Sequence, residues 1–161
     1  MITSNRDYIL RIIDEVTRMV ARVVFKRRGG ADEEALEILV QGYERLFALD
    51  RSQLFQFTPD QQFVMLTLDE PPDLARDKVL LYAALSAEAG RVYAKMGNAR
   101  MAQATFLNAL RFTLKARGFA TDAPLPECAP NVYELITLAG GHNALDPETA
   151  AMVDALPPPA E

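Results

Sequence analysis

Two side chains of this 161-residue chain have the chemistry of a catalytic centre: Cys128, its single thiol, and His142, its single imidazole. A thiol becomes a nucleophile when a neighbouring base or cation favours the thiolate. An imidazole moves protons near neutral pH. Cys128 stands between Pro126 and Pro130, in a segment too rich in proline for a regular element, with no base beside it in sequence. His142 follows Gly140-Gly141 in a second loop, with no serine or cysteine motif attached. Both read as bystanders rather than as a nucleophile and its base. One Cys and one His also exclude a disulfide framework and a Cys/His metal cluster. No dinucleotide-binding, P-loop, HExxH or calcium-loop spacing occurs. Glu33, Glu34 and Glu37 offer carboxylates to a cation, but the positive first turn of a helix accounts for them. The sequence therefore predicts no enzyme, no metal and no cofactor.

The elements carrying these residues are helical throughout. Half of the chain is hydrophobic and 24% is charged, which excludes a disordered polymer, and the length suits one domain. The first helix is predicted from about Asn5 to Arg28, about 36 Å long at 1.5 Å per residue. Ile9, Ile13, Val16, Val20 and Val23 recur at steps of four and three, and Ile12, Met19 and Val24 widen the stripe. Gly29-Gly30 ends it. Asp32 is predicted to cap a second helix carrying Leu36, Leu39, Val40, Tyr43, Leu46 and Phe47, and Ser52 a short turn. Thr58-Pro59-Asp60-Gln61 is a capping box with proline at the first helical position. Pro71-Pro72 stops that helix. Asp73 then opens one running to Met96, Gly97-Asn98 turns it, and the next runs to about Arg117. After a proline-rich loop, a helix near Val132–Ala139 and a last one from Asp146-Pro147-Glu148 to about Leu156 complete residues 1–156. A short flexible proline-rich tail, 157–161, is expected beyond them.

Ala89-Gly90, Tyr93, Gly97, Ala102, Phe106 and Ala109 together resemble the tetratricopeptide repeat (TPR), a 34-residue helical hairpin. Small residues let its two helices approach, while aromatic residues fill the space beside them. Ser86 and Leu114 stand where that repeat usually has tryptophan and proline. The layout over about residues 5–117 is also similar to a bacterial family of TPR-like proteins without an assigned activity. Arg6-Asp7-Tyr8-Ile9-Leu10-Arg11-Ile12-Ile13, Ala21-Arg22-Val23-Val24-Phe25, Leu46-Phe47-Ala48-Leu49-Asp50 and the Gly90…Tyr93…Gly97 hairpin carry the likeness. The resemblance implies an all-α fold in which TPR-like antiparallel hairpins form a right-handed bundle, with a long N-terminal helix. It further implies that Glu88, Arg91 and Lys95, on the first helix of the hairpin, face a peptide-binding groove. Ala84 and Ala87 stand at two expected groove positions, which argues against a carboxylate clamp.

The function that follows is a non-catalytic protein-interaction module. The alternative is a helical regulator with a small ligand among Phe55, Phe57, Phe63 and Tyr82. The Ile9, Ile13, Val16, Val20, Val23 stripe is wide enough to face the bundle on one flank and a second copy on the other, so a homodimer is expected. Residues 1–30 hold seven basic and three acidic groups, leaving the acidic surplus to the remainder of a chain of net charge -5. That division favours attraction within the protein over nucleic-acid binding. No run of apolar residues spans a bilayer, and the charged N-terminal segment is no secretory signal, so a cytoplasmic location is expected.

Overall fold

The computed structural model describes residues 2–159, with side chains from Asn5 onward. Its described residues form α1 (Ile2–Arg28), α2 (Asp32–Phe47), α3 (Arg51–Leu54), α4 (Pro59–Thr67), α5 (Pro72–Lys95), α6 (Ala99–Ala116), α7 (Val132–Leu138), a single 3-10 turn (His142–Ala144) and α8 (Pro147–Asp154). No strand occurs among them. The all-helical fold and the long first helix agree with the sequence reading.

The centre of the molecule is α5. Every residue from Val79 to Gly90 is buried, the signature of a helix surrounded by others rather than lying on a surface. α1, α2, α4 and α6 all pack on it, and α7 and α8 pack on α6. The pairs Lys26–Glu34 and Glu15–Arg45 tie α1 to α2 in opposite sequence order, so these helices are antiparallel. α5 and α6 are antiparallel by the same test, with Gly90 against Phe106 and Tyr82 stacked on Phe112 at 4.1 Å. Gly90 is a site of close approach, since a methyl group there would lie 2.6 Å from the Phe106 ring. Ala102 and Ala109 are buried in the cluster joining α6 to α7.

The capping box at Thr58 forms as predicted, with Gln61 N 3.2 Å from the Thr58 hydroxyl and Thr58 N 2.8 Å from the Gln61 side chain. Three other caps differ. Ala31, not Asp32, precedes α2, and Asp32 joins Glu33 and Glu34 in its first turn. Asp50 rather than Ser52 caps α3, because its carboxylate accepts from the Ser52 and Gln53 backbone. Pro71 precedes α5, leaving Asp73 inside the first turn and 2.7 Å from Arg6 of α1.

The stripe expected to face the bundle on one flank and a second copy on the other packs on the chain's own core. Val16, Val20 and Val23 are core residues, and Ile9 and Ile13 are half-buried against the same cluster. α2 and α5 supply the apolar surface that the spacing demanded. The beginning of the expected tail is anchored, since the Tyr133 hydroxyl donates to the Pro157 carbonyl. Its last two residues, 160 and 161, lie outside the described part.

Candidate functional site

Glu88, Arg91 and Lys95 lie together on α5, but they face the chain's own helices. Glu88 is only 8% exposed. Its carboxylate sits 2.8 Å from Arg27 of α1 and 2.8 Å from Arg91. Arg91 continues to Glu134 of α7 at 2.9 Å. Lys95 donates to the Arg27 carbonyl at 3.0 Å and lies 3.4 Å from Asp32. The three form an ionic seam that closes α1, α2 and α7 onto α5, so Glu88 is no exposed groove residue. The basic end of α1 is used the same way, with Lys26 on Glu34 and Arg27 on Glu88.

The opposite face of α5 carries a cleft. At about 100° per residue, Tyr82, Ser86, Ala89 and Tyr93 share one side of the helix, away from the side of Glu88, Arg91 and Lys95. They floor a cavity of about 380 Å3 between α2 and α6. Leu39 and Tyr43 of α2 form one wall, and Thr105 and Asn108 of α6 the other. The segment from α3 to α4 closes one end with Phe55 and Phe57. Of the four aromatic residues foreseen around a ligand, Phe55, Phe57 and Tyr82 do line this space. Phe63 does not: it packs on Phe112 at 5.8 Å and on Phe119 at 6.2 Å.

The cleft is aromatic, and hydrogen bonds link several of its polar groups. Tyr43 meets Tyr82 at 5.5 Å and Phe55 edge-on at 6.2 Å. The Tyr43 and Ser86 hydroxyls are 2.8 Å apart. Burial pushes both the Tyr43 and Tyr82 phenols above their ordinary range, so they stay neutral hydrogen-bonding groups. Beneath them runs a relay. Asn108 donates to the Tyr82 hydroxyl at 2.7 Å, Tyr82 donates to the Gln62 side chain at 2.7 Å, and Gln62 donates to the Leu54 carbonyl at 3.3 Å. Arg111, at the cleft's edge, is held by Asp146 at 2.6 Å and by Thr149 at 3.1 Å.

Sequence reasoning missed Tyr43, Gln62, Ser86 and Asn108. The available signal was the Tyr82-Ser86-Ala89-Tyr93 spacing, which lays two hydroxyl-bearing aromatics and two small residues along one side of α5.

The two reactive side chains stay apart from this cleft. Cys128 is half-buried against the core of α1 and α5. Burial pushes its thiol up, away from the thiolate, and the smaller opposing effect of Thr17 does not reverse it. The His142 Nε2 lies 2.8 Å from the Asp154 carboxylate, with both side chains at least half exposed. Among the described residues no group of three or more His, Cys, Asp or Glu side chains is placed to hold a metal ion. None of the described helices is long and apolar enough to cross a membrane. Comparison with family models, with curated proteins and with solved structures gave no match.

Proposed function

We propose that this chain is a non-catalytic protein-interaction module of TPR-like type, which seats an apolar segment of a partner protein in the cleft between α2 and α6. The observation that carries the reading is the apolar rim around an already structured hollow. Phe55 is 58% exposed, Phe57 38% and Met101 47%, and all three border the cleft. Large apolar side chains grouped around a pocket mark an interaction site more often than scattered ones do. A pocket that receives one anchoring side chain, ringed by surface that excludes water, is the usual anatomy of a protein-binding hot spot. The antiparallel α5–α6 hairpin, with Gly90, Ala102 and Ala109 at its buried small positions, supports the TPR-like part of the reading.

The second reading is a small-ligand regulator using the same cavity. Its volume of about 380 Å3 favours that reading, since small-molecule sites run from about 300 to 1,000 Å3. The exposed rim favours the protein partner, because a ligand enclosed by the cavity would leave Phe55 and Met101 in water.

Selection from a random peptide display library separates the two. Ala104 is exposed and borders the cleft, so Ala104→Trp fills the entrance without entering the core. Peptides with a shared apolar anchor, captured by the native chain and lost with Ala104→Trp, are the expected result. Failure to enrich any sequence, or enrichment indifferent to Ala104→Trp, overturns the docking site. A small molecule retained by the purified chain in native mass spectrometry, and displaced by Ala104→Trp, moves the conclusion to the second reading.

A further inference from the structure

The basic groups within residues 1–30 divide into two sets. Arg6, Arg18, Lys26 and Arg27 are paired, with Asp73, Asp14, Glu34 and Glu88 respectively. Arg11, Arg22 and Arg28 are exposed and form no ion pair among the described residues. At about 100° per residue, Arg11, Arg18 and Arg22 fall within about 40° of one another on α1, on the side away from Val16, Val20 and Val23. They span about 16 Å of helix at 1.5 Å per residue. Phe25 continues this stripe beyond Arg22 and is 77% exposed, more than any other large apolar side chain among the described residues. At that exposure its ring lies in no hollow of this chain. Leu10, 42% exposed, and Arg28 stand along the edge of the stripe. Asp7 and Asp14 share this side, but Asp14 is occupied by Arg18 and the arginines outnumber the acids.

We propose that the outer face of α1 docks on an anionic phospholipid surface, with its arginines on lipid phosphates and the Phe25 ring at the boundary between headgroups and acyl chains. Such a surface offers phosphates and an apolar layer side by side, which is what unpaired guanidiniums beside an exposed ring and an exposed leucine require. A nucleic-acid duplex answers the arginines but has no apolar layer for Phe25 and Leu10. The apolar stripe of α1 is used by the core, so only these two side chains reach into the lipid. Charge attraction therefore dominates, and the contact is reversible and sensitive to salt. The acidic remainder of the chain is repelled by the same surface, which orients the molecule with α1 towards it. The cleft lies across α5 from α1, so this contact leaves it open and does not depend on the docking reading above.

The chain has no tryptophan, so Phe25→Trp places a single fluorophore at the contact. Vesicles rich in phosphatidylglycerol are compared with vesicles of phosphatidylcholine alone, by co-sedimentation of the native chain and by emission of Phe25→Trp. The expected result is binding to the anionic vesicles only, with a blue shift, and release as salt rises from about 0.05 M to about 0.5 M. Each arginine near the surface is worth about fivefold in affinity. Arg22→Gln should weaken binding by that factor, and Arg11→Gln, Arg22→Gln and Arg28→Gln together by about a hundredfold. All three side chains are exposed, and an unchanged melting temperature confirms that the variants fold. No binding to anionic vesicles at low salt overturns the proposal, as does equal binding to both kinds of vesicle. So does binding that the triple variant leaves unchanged, or binding without a blue shift, which places the contact elsewhere. Capture of an oligonucleotide in place of the vesicles, lost with the triple variant, gives this face to nucleic acid and overturns it as well.

Discussion

At the scale of single residues, the tight places of the fold separate by what lies opposite them. A methyl group at Gly90 meets the rigid Phe106 ring at 2.6 Å, whereas at Gly42 it meets a terminal methyl of Leu85 at 2.9 Å. The ring cannot swing aside without disturbing the α6–α7 cluster, while the leucine has other rotamers. Gly90→Ala is therefore expected to destabilise by about 1–3 kcal/mol, the range for overpacked cores, and Gly42→Ala by less. Urea unfolding of the two variants measures the difference. Surface carboxylates give a second residue-scale prediction. Hydrogen bonds from Arg111 and Thr149 hold Asp146 well below its usual range, and Arg45 and Arg6 lower Glu15 and Asp73 in the same way. Groups with depressed folded-state values contribute stability above the ordinary carboxylate range and lose it as pH falls through the folded values. The melting temperature should thus fall as pH drops from about 5 towards 2. Arg111→Ala should show a shallower fall, and an unchanged slope would remove Asp146 from the explanation.

At the scale of elements, punctuation was legible and orientation was not. Gly29-Gly30, Thr58-Pro59, Gly97-Asn98 and Asp146-Pro147 mark helix boundaries because each residue type has a backbone or capping reason to stand there. Asp32, Ser52 and Asp73 misled because a polar side chain near a helix start suits the cap and the first turn alike, and the entering backbone decides between them. α5 hid its cleft side for a related reason. A helix buried all round has no polar stripe to say which face is which, so Glu88, Arg91 and Lys95 read as exposed charge although they pair with α1, α2 and α7. The local cap offers a test. Thr58→Ala removes one half of the box and should cost about 1 kcal/mol, with faster hydrogen exchange at the Gln61 amide. Since α4 carries Gln62, that variant should also loosen the relay to Tyr82.

At the scale of the whole molecule, charge division and core placement describe one event. The basic first helix closes onto acidic partners in α2 and α5, and its apolar stripe fills the core from the other side. Val16, Val20 and Val23, with Lys26 and Arg27 of the basic end, are thereby engaged within the chain, which spacing alone could not foretell. Arg27→Met leaves Glu88 buried with Arg91 as its remaining partner, and should cost about 1–3 kcal/mol by the price of a poorly paired buried group. Chemical denaturation measures it, and a neutral outcome would show that the seam adds no stability. With α1 and α7 closed on one side of α5, the cleft on its opposite face is the recognition surface we propose.

That assignment is tested most directly by amide hydrogen exchange of the chain with and without a peptide taken from display selection. Slower exchange confined to the Leu54–Pro59 segment and to the walls of α2 and α6 that face Tyr82 and Ser86 is the expected result. Protection of the outer face of α1 instead, with no change along the cleft, would contradict it.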